Sequence, residues 1–307
     1  MVAEVRAGLE RRPLPELPCK YFYDERGSAL FEAITQLPEY YQTRSETAIL
    51  EAHASAIVDA VRPRELAELG SGAGRKIRFF LDAMRQRRQL ESVVLLEINE
   101  TYLRESVCRL QQDYPEARVL GIAGDFVHDL PALGPGGDRL LLFLAGTIGN
   151  LHPDDLPAFF RSAATVLAPG DGFLVGVDLV KDPARLHAAY NDAAGVTAQF
   201  NLNILSVLND RLDADFDPAD FEHRAFYDER RQWIEMRLRA RRALTARVRG
   251  AGIELTLAAG DEVRTELSCK YTRASLAARL GGTGLSLERW ITDADGRFAS
   301  ALLGRSQ

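Results

Sequence analysis

The sequence predicts an α/β chain in which a doubly wound parallel sheet carries a second, smaller α+β domain. Three observations lead there. An apolar run, Glu65-Leu-Ala-Glu-Leu69, breaks into Gly70-Ser-Gly-Ala-Gly74, and a helical pattern follows from Arg75 to about Arg88. Apolar runs of strand length then alternate with helical patterns over about residues 45–180. Beyond residue 181 a helical stretch is followed by hairpin-like β segments, the mark of a different architecture.

In chain order, residues 1–18, with Pro13, Pro15 and Pro18 among charges, read as a helical turn and an extended lead-in. Tyr21, Tyr23, Tyr40 and Tyr41, interrupted by Gly27 and Pro38, do not suit one amphipathic helix; they read as packing residues or as a lid of phenols. Thr43-Arg-Ser-Glu46 has the spacing of a capping box, and Ile49, Leu50, Ile57 and Val61 follow on one helical face. Ser92–Ile98 and Arg118–Phe126 are the second and third strand runs, ending at Glu97 and at Asp125-Phe126. Arg139–Gly146 is continuously apolar, as a strand buried on both faces should be, and leads to Gly146-Thr-Ile-Gly-Asn150 and a helix from Pro153. Gly172–Val180 is the fifth strand. Helical patterns follow Pro183 as far as Leu212, then β-like segments at Ile234–Leu238, Ile253–Leu257 and Val263–Cys269, and two closing strands between Leu285 and Leu303. The expected domains are 45–180, and 1–44 together with 181–307.

Composition excludes several classes. The 307 residues, 46% hydrophobic and 27% charged, suit a soluble globular protein with one large or two small cores. No apolar stretch approaches the roughly 18–20 residues of a membrane span, and the charged N-terminus lacks a signal core, so a cytoplasmic location is expected. The net charge of −6 without a basic run leaves no footprint for nucleic acid or an anionic membrane. Three scattered cysteines and five scattered histidines give no metal-ligand spacing, and no metal is expected. Of 38 basic residues only Lys20, Lys76, Lys181 and Lys270 are lysine, as though a compact ammonium were kept where a guanidinium fork would not serve.

The glycine turn reads as a cofactor site, because glycines let the backbone approach a ligand and the following helix offers free N–H groups. A dinucleotide fingerprint needs a glycine where this chain has Arg75. The spacing acidic-x-Gly-x-Gly-x-Gly from Glu68 instead resembles the first motif of S-adenosylmethionine (SAM) methyltransferases. Glu97, after the second strand, suits ribose hydroxyls. Asp125 and Phe126 offer an acceptor and an aromatic face to an adenine; a helix cap is the plainer role for Asp125. Asn150 follows a central strand, where open sheets bind substrates, or else serves as a turn residue.

Lys20–Ser28, Leu37-Pro-Glu-Tyr-Tyr41, Gly146–Asn150, Asp178–Asp182, Tyr190–Thr197, Ile234-Glu-Met236 and Thr265–Lys270, in this order, resemble the histidine Nα-methyltransferase family of ergothioneine biosynthesis. The resemblance implies a Rossmann-like SAM-binding domain, a substrate-recognition domain made from both chain ends, and trimethylation of L-histidine to hercynine. It implies SAM at Gly70, Lys76, Glu97, Asp125 and Phe126, and histidine at Tyr40, Asn150, Tyr190, Met236, Glu266 and Ser268. Catalysis would rest on Tyr23, near the amine, with Asn150 and Glu266. The implied partner is a small amino acid, and a monomer is expected. Three departures stand out: Ala73-Gly74 for Thr-Ser in the loop, Ala145-Gly146 for Gly-Ser before the asparagine turn, and Glu97 for aspartate.

The residue types suit the chemistry. Methyl transfer from a sulfonium is an in-line displacement that needs alignment and an uncharged amine. An α-amine of pKa about 7.7–8.0 needs only a modest shift, so tyrosines, an asparagine and one glutamate are sufficient. Glu266 and Ser268, two apart on a strand, share a face and could engage an imidazole edge. The alternatives are a related methyltransferase acting on another amino acid or amine, a non-catalytic SAM-binding protein, and a nicotinamide-dependent oxidoreductase, which Arg75 opposes.

Overall fold

The chain begins with α1 (Val2–Leu9), which buries Val5 and Leu9, and passes through a 3-10 turn at Cys19–Phe22 to α2 (Glu25–Thr35). Asp24 starts α2: its carboxylate accepts the Gly27 amide at 2.6 Å, one of the donors a helix start leaves open. The structure, a computed structural model, describes residues 1–72 and 74–306. Ala73, one of the loop departures noted above, therefore lies outside the described residues.

α3 (Gln42–Val61) leads into the β-α alternation: β1 (Glu65–Leu69), α4 (Ile77–Gln86), β2 (Ser92–Glu97), α5 (Glu100–Asp113), β3 (Arg118–Ala123), β4 (Arg139–Phe143), α6 (Leu156–Thr165) and β5 (Gly172–Asp178). The expected capping box is corrected. α3 starts at Gln42, so Thr43 is already helical, and the Glu46 side chain turns inward instead of back to the helix start. The helix expected from Pro153 starts at Leu156. Leu66, Val93, Leu95, Leu140, Leu142 and Leu174 pack with Ile57, Phe80 and Leu81 of the covering helices, and that core explains why these strand runs are apolar.

The other segment contains α7 (Pro183–Tyr190), α8 (Val196–Leu212), β6 (Phe221–Asp228), β7 (Trp233–Ala240), β8 (Leu244–Val248), β9 (Ile253–Leu257) and β10 (Glu262–Cys269). β10, β7 and β6 form a three-stranded sheet in that order, and β8 pairs with β9. Its core joins Val5, Phe22 and Tyr40 of the amino-terminal segment to Phe200, Ile204, Leu208, Ile234 and Met236.

α9 (Arg273–Leu280), β11 (Leu285–Thr292) and β12 (Phe298–Arg305) close the chain. The seven-stranded sheet runs β11-β12-β5-β4-β1-β2-β3, parallel from β5 to β3, with β12 antiparallel to β5 from Phe298↔Asp178 to Gly304↔Gly172. The two units are Met1–Tyr41 with Lys181–Ser268, and Gln42–Val180 with Cys269–Gln307. The expected boundary is thus corrected: residues from Cys269 onward belong to the sheet unit. Every residue of β12 from Phe298 to Gly304 is buried, and a strand without an exposed face belongs inside a sheet.

Candidate functional site

In the sheet unit the candidate residues lie at the carboxyl ends of β1, β2, β3 and β4. The loop after β1 holds Gly70 and Gly72 in left-handed conformations (φ 67° and 47°), which side-chain-bearing residues avoid. A Cβ on Gly70 would lie 3.9 Å from the Phe126 ring, and one on Gly72 would meet nothing within 4 Å among the described residues. Glu97 ties this loop to β2: one carboxylate oxygen accepts the Gly72 amide at 3.1 Å and the other the Asn99 amide at 2.9 Å. Phe126 packs edge-on against Phe143 at 4.9 Å between ring centres. Asp125 accepts the Val127 amide at 2.9 Å, so it organises its own turn.

Two buried polar atoms beside the loop, Glu68 Oε2 and Ser71 Oγ, have no hydrogen-bond partner among the described residues. Burial holds the Glu68 carboxyl well above the usual carboxylate range; Lys76 opposes this, and Glu46 and Glu97 add to it. Backbone donors, open space over Gly72, an aromatic ring and unsatisfied polar atoms fit a nucleoside bearing an amino-acid tail, as in SAM.

Lys76 leaves the loop and pairs with Glu46, whose side chain is 0% exposed. Both oxygens of Glu46 also lie 2.9 Å from the Ala145 amide. A side chain at Gly176 of β5 would collide with the Glu46 carboxylate and displace it. Ala145 (φ 62°) and Gly146 (φ 69°) make a left-handed turn into the 3-10 segment Thr147–Asn150, with half-buried Asn150 at its end. Nearby, Lys270 pairs with Asp178 at 2.9 Å, and Gln42 donates to the same carboxylate at 3.3 Å.

In the other unit Tyr190 OH donates to Ser268 Oγ at 2.7 Å, joining the end of α7 to β10. Glu266, half-buried, lies two residues before Ser268 on that strand, and Met236 is buried on β7. Tyr23 packs edge-on against Phe31 and Phe200, each at 5.7 Å, and Tyr40 meets Phe31 at 6.2 Å. The tyrosine-rich segment is therefore an aromatic cluster.

Each predicted group thus has a place. Gly70 meets Phe126, Glu97 holds the glycine loop, and Tyr190 meets Ser268, whereas Lys76 reaches Glu46. Sequence reasoning read Glu46 only as a cap, had Asp178 and Thr265 inside motifs without a role, and passed over His223 and Asn201; Glu46 holds Lys76 and the Ala145 turn, and His223 holds the Tyr190 carbonyl. Only the scarcity of lysine pointed towards two of these pairs. All four lysines are engaged: Lys20 with Glu4 at 2.6 Å, Lys181 with Tyr41 OH at 2.7 Å, Lys76 with Glu46 and Lys270 with Asp178.

Residues 1–305 match the model of a family described as "Histidine-specific methyltransferase, SAM-dependent". The chain is 44% identical over 302 residues to a histidine N-alpha-methyltransferase of Mycolicibacterium smegmatis, covering 98% of this chain and 94% of that one. It is 42% identical, with the same coverage, to one from Mycobacterium tuberculosis. An ergothioneine biosynthesis protein 1 of Neurospora crassa is 33% identical over 200 residues, 64% of this chain and 23% of that longer one. Among solved structures, the PH0226 protein of Pyrococcus horikoshii shares the fold at a TM-score of 0.52 and 14% identity, covering 92% of this chain and all of that one. Sheet, glycine loop and near full-length match agree, and the chain belongs to the SAM-dependent histidine-specific methyltransferase family.

Proposed function

We propose that this enzyme transfers methyl groups from SAM to the α-amino group of L-histidine, three in succession, giving hercynine for ergothioneine biosynthesis. The match over 98% of the chain to two histidine N-alpha-methyltransferases carries this reading. SAM supplies an electrophilic methyl group on a sulfonium. The sheet unit acts as the SAM domain, with Gly70, Lys76, Glu97, Asp125 and Phe126 as its binding residues, and Asn150 serves the amino acid. The second unit acts as the recognition domain through Tyr23, Tyr40, Tyr190, Met236, Glu266 and Ser268.

These residues bind, orient and desolvate; none needs to be a strong base. The amine must lose its proton before each transfer, and a phenol such as that of Tyr23 can accept a hydrogen bond from it while water carries the proton away. Glu266 accepts from an imidazole N–H, and the Ser268 hydroxyl, already held by Tyr190, keeps that edge polar.

The test is mass spectrometry of purified protein incubated with SAM and each of the common amino acids. A shift of three methyl groups on histidine alone is expected. Methylation of a different amino acid, with histidine untouched, would replace this reading with a related amine methyltransferase, and binding of SAM without any transfer would leave a non-catalytic binder.

A further inference from the structure

The Tyr190–Ser268 hydrogen bond has a second, buried connection behind it. The His223 ring on β6 lies with Nε2 2.9 Å from the Tyr190 carbonyl and Nδ1 2.9 Å from Asn201 Nδ2 on α8. Asn201 Nδ2 also donates to the Arg237 carbonyl of β7 at 3.0 Å. Asn201 Oδ1 accepts the Thr265 hydroxyl of β10 at 2.6 Å, and that hydroxyl also lies 3.1 Å from the Met236 carbonyl. Asn201 and Thr265 are both 0% exposed.

The polarity of this chain is fixed by its ends. A carbonyl only accepts, so His223 Nε2 bears the proton and Nδ1 presents its lone pair. Asn201 must then point its two N–H groups at Nδ1 and the Arg237 carbonyl, which leaves its oxygen for Thr265. From the Tyr190 carbonyl through His223 and Asn201 to Thr265 each donor faces an acceptor, a condition under which a buried network specifies one arrangement. The circuit is closed: Tyr190 is held through its hydroxyl to Ser268 and through its carbonyl, by way of His223 and Asn201, to Thr265, three residues earlier on the same strand. Glu266 lies inside the arc so defined, and Met236 directly precedes Arg237, whose carbonyl accepts from Asn201.

We propose that His223, Asn201 and Thr265 are positioning residues which set Tyr190, Met236 and the Glu266–Ser268 strand in register for the amino-acid substrate. This rests on the assignment of histidine to those residues above. The relay touches no candidate cofactor residue, so its loss should appear in recognition of the amino acid and leave SAM binding alone.

The decisive variants are Thr265→Val, which removes the hydroxyl at nearly constant volume, and Thr265→Ser, which keeps it. Thr265→Val is expected to raise the histidine KM about tenfold or more while kcat at saturation stays within about threefold. SAM affinity, by calorimetry, stays within about twofold, and Thr265→Ser recovers most of the KM. His223→Phe, at the more exposed end of the relay, should raise KM likewise and supplies the reading if Thr265→Val does not fold. A folded Thr265→Val or His223→Phe with wild-type KM, or a Thr265→Ser no better than Thr265→Val, overturns the proposal. Glu266→Ala, run in parallel, separates the two levels. If it too keeps the wild-type KM, the histidine assignment falls and the relay with it; if only the relay variants do, the relay alone falls.

Discussion

Glu46 and Lys76, thirty positions apart in sequence, form an ion pair whose carboxylate is fully buried and also receives the Ala145 amide. One side chain of α3 thus holds the start of α4 behind the glycine loop and the turn that leads to Asn150. Removing one partner of a buried pair leaves an uncompensated charge, which typically costs about 3–5 kcal/mol. Lys76→Met is expected to destabilise the protein by about that amount, and Glu46→Gln/Lys76→Met by less than the sum of the single changes. Urea unfolding of the three variants measures this; additive losses would mean that the pair does not act as a unit.

Glu97 is expected to accept the ribose hydroxyls of SAM with lone pairs left beside the Gly72 and Asn99 amides. Glu97→Ala should weaken SAM binding by about 1.5–3 kcal/mol, the range for hydrogen bonds to a charged group. Calorimetry on the folded variant decides, and unchanged affinity removes the assignment.

Asn150→Ala should raise the histidine requirement and leave SAM affinity within about twofold, because the two ligands contact different groups. Collapse of SAM binding at unchanged histidine KM would show that the roles were exchanged.

Glu266 governs specificity. An indole or phenol offers no second ring nitrogen to the Glu266 carboxylate, and a site built to hydrogen-bond an imidazole can discriminate by about 10⁴-fold. Histidine and its partly methylated forms should far outcompete tryptophan, tyrosine and phenylalanine. Glu266→Ala should narrow the gap, chiefly by losing histidine activity. Comparable kcat/KM for histidine and an aromatic amino acid in the unaltered protein would end the histidine assignment.

A pH dependence follows from His223. Burial lowers the affinity of its ring for a proton, against smaller opposing contributions from the Tyr190 carbonyl and the Asp192 carboxylate. The unfolded chain therefore binds a proton near the ordinary value of about 6.5 that the folded ring resists, and stability rises with pH in that window. The contribution is complete above that range and is lost as pH falls through it. Unfolding at about pH 7.5 and about pH 5.5, on either side of that value, should show a smaller acid loss in His223→Phe than in the unaltered protein.

The sequence alone determined the elements whose signal is local. Strand runs such as Leu140–Phe143 are apolar because both faces are covered, and the glycines after β1 announce a backbone that side chains would obstruct. Motif order was sufficient to place the family, since residue types and spacings are one-dimensional. The tertiary structure decided which distant residues share a hydrogen bond. Glu46 has the spacing of a cap, yet the demand for a buried partner at Lys76 and Ala145 draws it inward. The sequence reading puts β12 in the second domain with the rest of 181–307, and only its pairing with β5 places it in the larger sheet. His223 and Asn201 carry no motif, and the motif that opens at Thr265 does not show its partner, because a buried polar network is specified by complementary donors and acceptors meeting in space, 22 to 64 positions apart in the chain.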